Sequence, residues 1–223
     1  MLSLTVVVIR LFTALPLIFG WRKMKLSLVI YCWLNVLSEV ISTILTLFNI
    51  GKLDKGFVHH NSILIATACA VIYFYADLFK ISKYWILGIW ALYISFFIVT
   101  QLYFFDGFFE FNTYAYSFLH FFLILFSSFG FYKVFKEESI MYIEKSAFFW
   151  LNSAFLFFAS GAIVITVFSK YLLEMDMKLE RFFWVNFFGT ICCIFYSVFA
   201  YSMTLKDDEH FPIFRHRMPT KYD

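Results

Sequence analysis

Seven long apolar stretches, at roughly 3–20, 26–49, 61–80, 84–104, 113–132, 147–169 and 182–204, take up most of the 223 residues. Each has about the 20 residues that a helix needs to cross the hydrocarbon core of a bilayer. Asp, Glu, Lys and Arg make up only 15% of the chain, against roughly 25% in soluble domains, so the missing charged coat implies surface that faces lipid. Membrane strands alternate polar and apolar over about ten residues, whereas Phe118 to Phe129 is apolar almost throughout. Inside a bilayer a helix satisfies its own backbone. The sequence therefore predicts an all-α, polytopic seven-helix bundle, residues 1–204, followed by a short polar tail, residues 205–223. The first stretch has no basic residues before it and no small-residue cleavage site after it, so it reads as a retained helix rather than a secretory signal.

The basic residues fix an expected orientation. Twelve (Arg22, Lys23, Lys25, Lys80, Lys83, Lys133, Lys136, Lys145, Lys206, Arg215, Arg217 and Lys221) fall on one side of such a bundle and five (Lys52, Lys55, Lys170, Lys178 and Arg181) on the other. The positive-inside rule then places the amino terminus outside the cytoplasm and the carboxyl tail within it. The cations are distributed among loops rather than gathered into a patch, so nucleic acid is not an expected partner; the bilayer is. The tail is too short and too polar to fold as an enzyme domain, so any signal would have to leave through another protein.

Charged groups inside a span cost roughly 3 kcal/mol or more unless they face a cavity or each other. Arg10 lies about 11 Å below the outer end of the first span and Glu39 about 15 Å below that of the antiparallel second, at 1.5 Å per residue. The two can pair. Asn35, Glu39 and Ser42 or Thr43 share one helical face, while His120 lies about 10 Å and Asn186 about 6 Å below the same surface, with Gln101, Tyr114 and Tyr116 above them. The expected site is an outward-facing ligand pocket formed by Arg10, Asn35, Glu39, His120 and Asn186, and the alternative is a charge pair that only fixes helix register. Beside Glu39, a histidine titrating near neutrality would serve as a proton sensor or relay. A second set, Asp77, Ser127, Ser128 and Asn152, lies toward the cytoplasmic side. There Asp77 is expected to meet Lys80 or Lys83, and Pro16 is a candidate hinge.

Cys32, Cys69, Cys192 and Cys193 lie inside spans and read as packing residues. No metal-ligand spacing, nucleophile elbow or phosphate-binding glycine loop is present, and no cofactor is implied. The last span, Phe182 to Thr204, has no lysine for a retinal Schiff base.

Phe149-Trp150-Leu151-Asn152-Ser153 with Ser160-Gly161, the Phe111-Asn112-Thr113 start of the fifth span and the region of Asn186 resemble a family of uncharacterised seven-helix integral membrane proteins of Bacteroidota. Phe158 stands where that family often has tyrosine. The resemblance implies a bacterial cytoplasmic (inner) membrane protein, often encoded beside sensor histidine kinases, with an input or accessory role in signalling. A fainter similarity in size links the chain to lysoplasmalogenase-like membrane hydrolases. The functional expectation is a receptor-like or accessory signalling protein that binds a small or lipidic ligand. A proton- or solute-coupled transporter and an intramembrane lipid hydrolase using Glu39 or Asp77 are the alternatives.

Overall fold

The computed structural model describes residues 8, 11–47, 56–104, 112–136, 143–176, 179 and 182–205. They form α1 (Leu15–Gly20), α2 (Leu26–Leu47), α3 (Gly56–Leu78), α4 (Lys83–Phe104), α5 (Thr113–Lys136), a short 3-10 turn (Ile143–Lys145), α6 (Ala147–Met175), and a π-helical segment (Phe183–Phe188) that runs into α7 (Gly189–Ser202). Six of these helices are long and apolar enough to cross a membrane, the last being Phe183–Ser202. The described residues are thus built of helices, and the six apolar ones make the chain a multi-pass membrane protein.

The expected first span is described only in part. Leu11 and Phe12 are helical, Thr13 and Ala14 form a turn, and α1 begins at Leu15 with Pro16 in its first turn. A proline lacks the backbone N–H, which the first turn does not need. Pro16 therefore opens a new helix where a kink was expected.

The helices follow one another around a ring: α2 packs on α3, α5 on α6, α6 on α7, and α1 touches both α7 and α2. Helix α4 lies outside, against α3 and α5. Close approach is built in where α6 meets α7, because a Cβ on Gly161 would come within 2.6 Å of Ile191 Cδ1. The centre is aromatic, with Tyr31, Phe74, Tyr75, Phe155, Phe195 and Phe199 fully or almost fully buried. Tyr31 and Phe155 meet edge to face at 5.6 Å, and Phe155 and Phe195 lie 5.4 Å apart. Such ring pairs add about 0.5–1.5 kcal/mol beyond area burial. A smaller core of Leu64, Ala68, Tyr93, Phe97, Ala115 and Leu119 seats α4.

The two ends of the bundle differ in charge. Eight of the nine described basic residues (Arg22, Lys23, Lys25, Lys80, Lys83, Lys133, Lys136 and Lys145) lie at the end where α1, α3, α5 and α7 finish; the ninth is Lys170. Contacts across that end tie it together: Lys25 Nζ to Asp77 Oδ2 at 2.6 Å, Phe131 against Phe149, and Trp150 against Tyr201. Asp77 therefore does form a helix-end salt bridge, but with Lys25, just ahead of α2, and not with Lys80 or Lys83. The reason lies in how α3 ends. Ile81 N–H donates to Ala76 O and Lys80 N–H to Asp77 O, with Lys80 at φ 55°, a left-handed cap that turns the chain away.

Polar side chains satisfy one another at two levels. Nearer the basic end, Tyr75 Oη lies 3.0 Å from Ser127 Oγ and donates to Asn152 Oδ1 at 3.0 Å, while Asn152 Nδ2 donates to Ser127 O at 2.7 Å. This node joins α3, α5 and α6. Ser128, grouped with these residues by sequence, is exposed. At the other end Asn112 caps α5 by accepting from Ala115 N–H at 2.9 Å, donates to Phe97 O and Thr100 Oγ1, and binds Asn61 Oδ1 through its own backbone N–H. An asparagine cap of this kind satisfies a first-turn donor and here also ties α4 to α3.

Candidate ligand site in the bundle interior

Between the two nodes lies a further group of polar side chains drawn from three helices. Helix α2 contributes Tyr31, Asn35 and Glu39 from one face, at intervals of four residues. Helix α5 contributes Tyr116 and His120, and α7 contributes Cys192 and Tyr196, each again four apart. Glu39 lies within electrostatic range of Tyr116, Cys192 and Tyr196, and Tyr31 within range of Tyr116 and Cys192. Tyr196 is in turn within range of Tyr31. Three helices thus bring a carboxyl group, three phenols, an imidazole and a thiol into one stretch of the bundle, about two helical turns deep.

His120 is only 1% exposed. Its Nδ1 lies 2.7 Å from Tyr116 O. A carbonyl only accepts, so Nδ1 carries the hydrogen and Nε2 of the neutral ring presents a lone pair. The ring packs edge-on to Tyr116 at 4.4 Å and against Phe158 at 5.3 Å. Phe158 continues the wall to Phe195 at 4.7 Å. Tyr31 and Tyr196 are 3% and 5% exposed, and among the described residues neither hydroxyl, nor His120 Nε2, has a hydrogen-bond partner, but none of the three atoms is itself fully closed off from space that water can reach. A polar atom left without a protein partner beside such space is open to a water or a ligand.

Of the residues expected from sequence, Glu39 and His120 come together here through Tyr116. Asn35 lies on the same face of α2, half-buried, with Nδ2 donating to Tyr31 O at 2.8 Å. Arg10, the expected partner of Glu39, lies outside the described residues. Asn186 is placed elsewhere: it is exposed in the π-helical segment, donates to Phe182 O at 3.2 Å, and lines a surface groove with Ser160, Gly161 and Thr190. The π geometry at Phe183–Phe188 sets this rotation. Tyr114 is also exposed, and Gln101 is buried within peripheral α4.

The residues that sequence reading passed over are Tyr31 and Tyr196, and Cys192 reads there as a packing residue. Among so many aromatics they look like packing. The signal that marks them is the four-residue spacing to Asn35 and between Cys192 and Tyr196, which puts a second polar group on the same helical face.

The site offers acceptors and hydroxyls against aromatic walls, which suits a ligand with hydrogen-bond donors and a flat or apolar body. Among the described residues no three His, Cys, Asp or Glu side chains gather as a metal set. The chain matches no protein-family model, no curated protein and no solved structure.

Proposed function

We propose that the chain is a receptor-like or accessory signalling protein of the bacterial inner membrane, with seven spanning helices, the amino terminus outside and the tail in the cytoplasm. In this reading the layer of Tyr31, Glu39, Tyr116, His120 and Tyr196 holds a small or lipidic ligand entering from the extracytoplasmic side, with Asn35 at its edge. The observation that carries it is the set of three polar atoms, Tyr31 Oη, Tyr196 Oη and His120 Nε2, on buried side chains of three helices, without partners among the described residues. A layer that served only to fix register would resemble the Tyr75–Ser127–Asn152 node, where each group answers another. Binding that draws α2, α5 and α7 together would move their basic ends, and a cytoplasmic partner would read that movement. A sensor histidine kinase is the partner that the family resemblance implies. The seventh span is supported by the apolar run that ends in α1, and the orientation by the concentration of cations at one end.

The test is gentle purification of the tagged protein from its own membranes with mass spectrometry of everything retained. A signalling protein that co-purifies, and is lost when residues after Thr204 are removed, is the expected result. Recovery of the protein without any protein partner would count against the signalling half of the reading.

One observation favours a second reading. The polar groups continue below the layer, because Tyr31 is within electrostatic range of Tyr75 and Tyr75 bonds Ser127 and Asn152. A run of hydroxyls from Glu39 toward the basic end suits a proton relay in a transporter. Proton uptake into liposomes that stops in Glu39→Gln would establish it, and its absence across a broad solute panel would remove it. For hydrolysis, Glu39 and Asp77 do not combine, since Asp77 is held by Lys25 at the exposed end.

A further inference from the structure

We propose that the corner formed at the basic end by the turn from α3 into α4 and the last turns of α5 binds the headgroup of an anionic phospholipid. This inference does not depend on the interior site. Lys133 Nζ lies over the ring of Phe79 at 5.0 Å and over that of Phe129 at 5.2 Å, and the two rings meet edge to face at 5.0 Å. The aromatic pair spans α3 and α5 and holds the ammonium group in place, in contrast to Arg22, which covers only its neighbour Trp21.

Lys80, in its left-handed cap, and Lys83, the first residue of α4, are exposed on the same turn. Among the described residues none of the three lysines forms an ion pair. The one acid in this part of α3, Asp77, is already taken by Lys25 at 2.6 Å; Glu137 and Glu138 lie outside the described residues. Three cations thus remain for an outside anion.

The surface beside them belongs to a lipid rather than to a dissolved anion. Tyr84 and Trp85 are 87% and 71% exposed at the first turn of α4, where amphipathic rings mark the headgroup level. Leu87 and Leu92 continue outward along the helix, and Gly88 has open space where a Cβ would stand. A phosphate on the lysines would therefore have apolar surface directly beneath it for its acyl chains. Basic pockets between membrane helices recognise anionic headgroups in this way.

The experiment is thermal unfolding of the full chain in a neutral detergent, alone or with phosphatidylglycerol, phosphatidylcholine or inorganic phosphate. Phosphatidylglycerol is expected to raise the midpoint by about 5 °C, the size that a ligand near saturation gives a chain of this length. The other two additions should leave it in place. In Lys80→Gln/Lys83→Gln/Lys133→Gln the shift should fall to half or less, and in Arg22→Gln/Lys23→Gln it should persist. Lys80→Gln/Lys83→Gln, both at exposed positions, keeps the test open if the triple variant unfolds, and should lose part of the shift. An equal shift with phosphatidylcholine or with inorganic phosphate, equal loss in the Arg22/Lys23 variant, or no shift with phosphatidylglycerol overturns the proposal.

Discussion

At the residue scale, the same side-chain chemistry does different work at different depths. Asn152 is buried and closes a loop of bonds with Tyr75 and Ser127. Removing its amide in Asn152→Ala leaves Tyr75 and Ser127 only each other, and should cost about 1–2 kcal/mol, the upper range for hydrogen bonds between membrane helices. In thermal unfolding that is a drop of about 3–6 °C. The Lys25–Asp77 bridge is short but its carboxylate is 46% exposed, and exposed pairs contribute about 0–1 kcal/mol. Asp77→Asn should therefore move the same midpoint by less than Asn152→Ala does. The reverse order would mean that the solvated end, not the buried node, holds the helices together.

At the element scale, helix approach is set by small residues placed opposite large ones. A methyl group on Gly161 would meet Ile191 Cδ1 at 2.6 Å, so Gly161→Ala should destabilise the α6–α7 pair by about 1–3 kcal/mol. Ile191→Val, which shortens that side chain, should recover much of the loss. A double-mutant cycle by thermal unfolding measures the coupling, and additive effects would show that the two residues do not meet. The elements themselves were legible in the sequence because apolar length alone decides that a stretch must be helical in lipid. Their rotations were not. Spacing placed Asn35 and Glu39 on one face of α2, but which neighbour that face meets depends on ring order and on local departures such as the π segment, which turned Asn186 outward. Pro16 was legible as a break, though not as the start of a helix. Asp77 was legible as a helix-end partner, but the left-handed cap at Lys80 decided which lysine it meets.

At the scale of the whole molecule, the bundle has a basic end, a self-satisfied polar node near it, a further polar layer in the middle, and a second satisfied node at the far end. The asymmetry of charge gives a prediction on topology. Single cysteines placed at Lys23 and Lys136 should react with a membrane-impermeant thiol reagent only in inverted vesicles; labelling in intact cells would reverse the assignment. The middle layer carries the functional reading, and it was only half legible in the sequence. Glu39 and His120 stand out among apolar neighbours, whereas Tyr31 and Tyr196 disappear among 34 phenylalanines and 14 tyrosines. A charge within a span is expensive and therefore conspicuous, while a phenol is cheap enough to occur anywhere.

The most direct test of the central claim is native mass spectrometry of the protein taken from its own membranes, comparing the wild type with Tyr31→Phe/Tyr196→Phe. Each substitution deletes one oxygen and leaves the aromatic packing in place, so the fold should survive with an unfolding midpoint close to that of the wild type. The account predicts a defined mass retained by the wild type and lost from the double variant. The same bound mass in both proteins, or none in either, would contradict it.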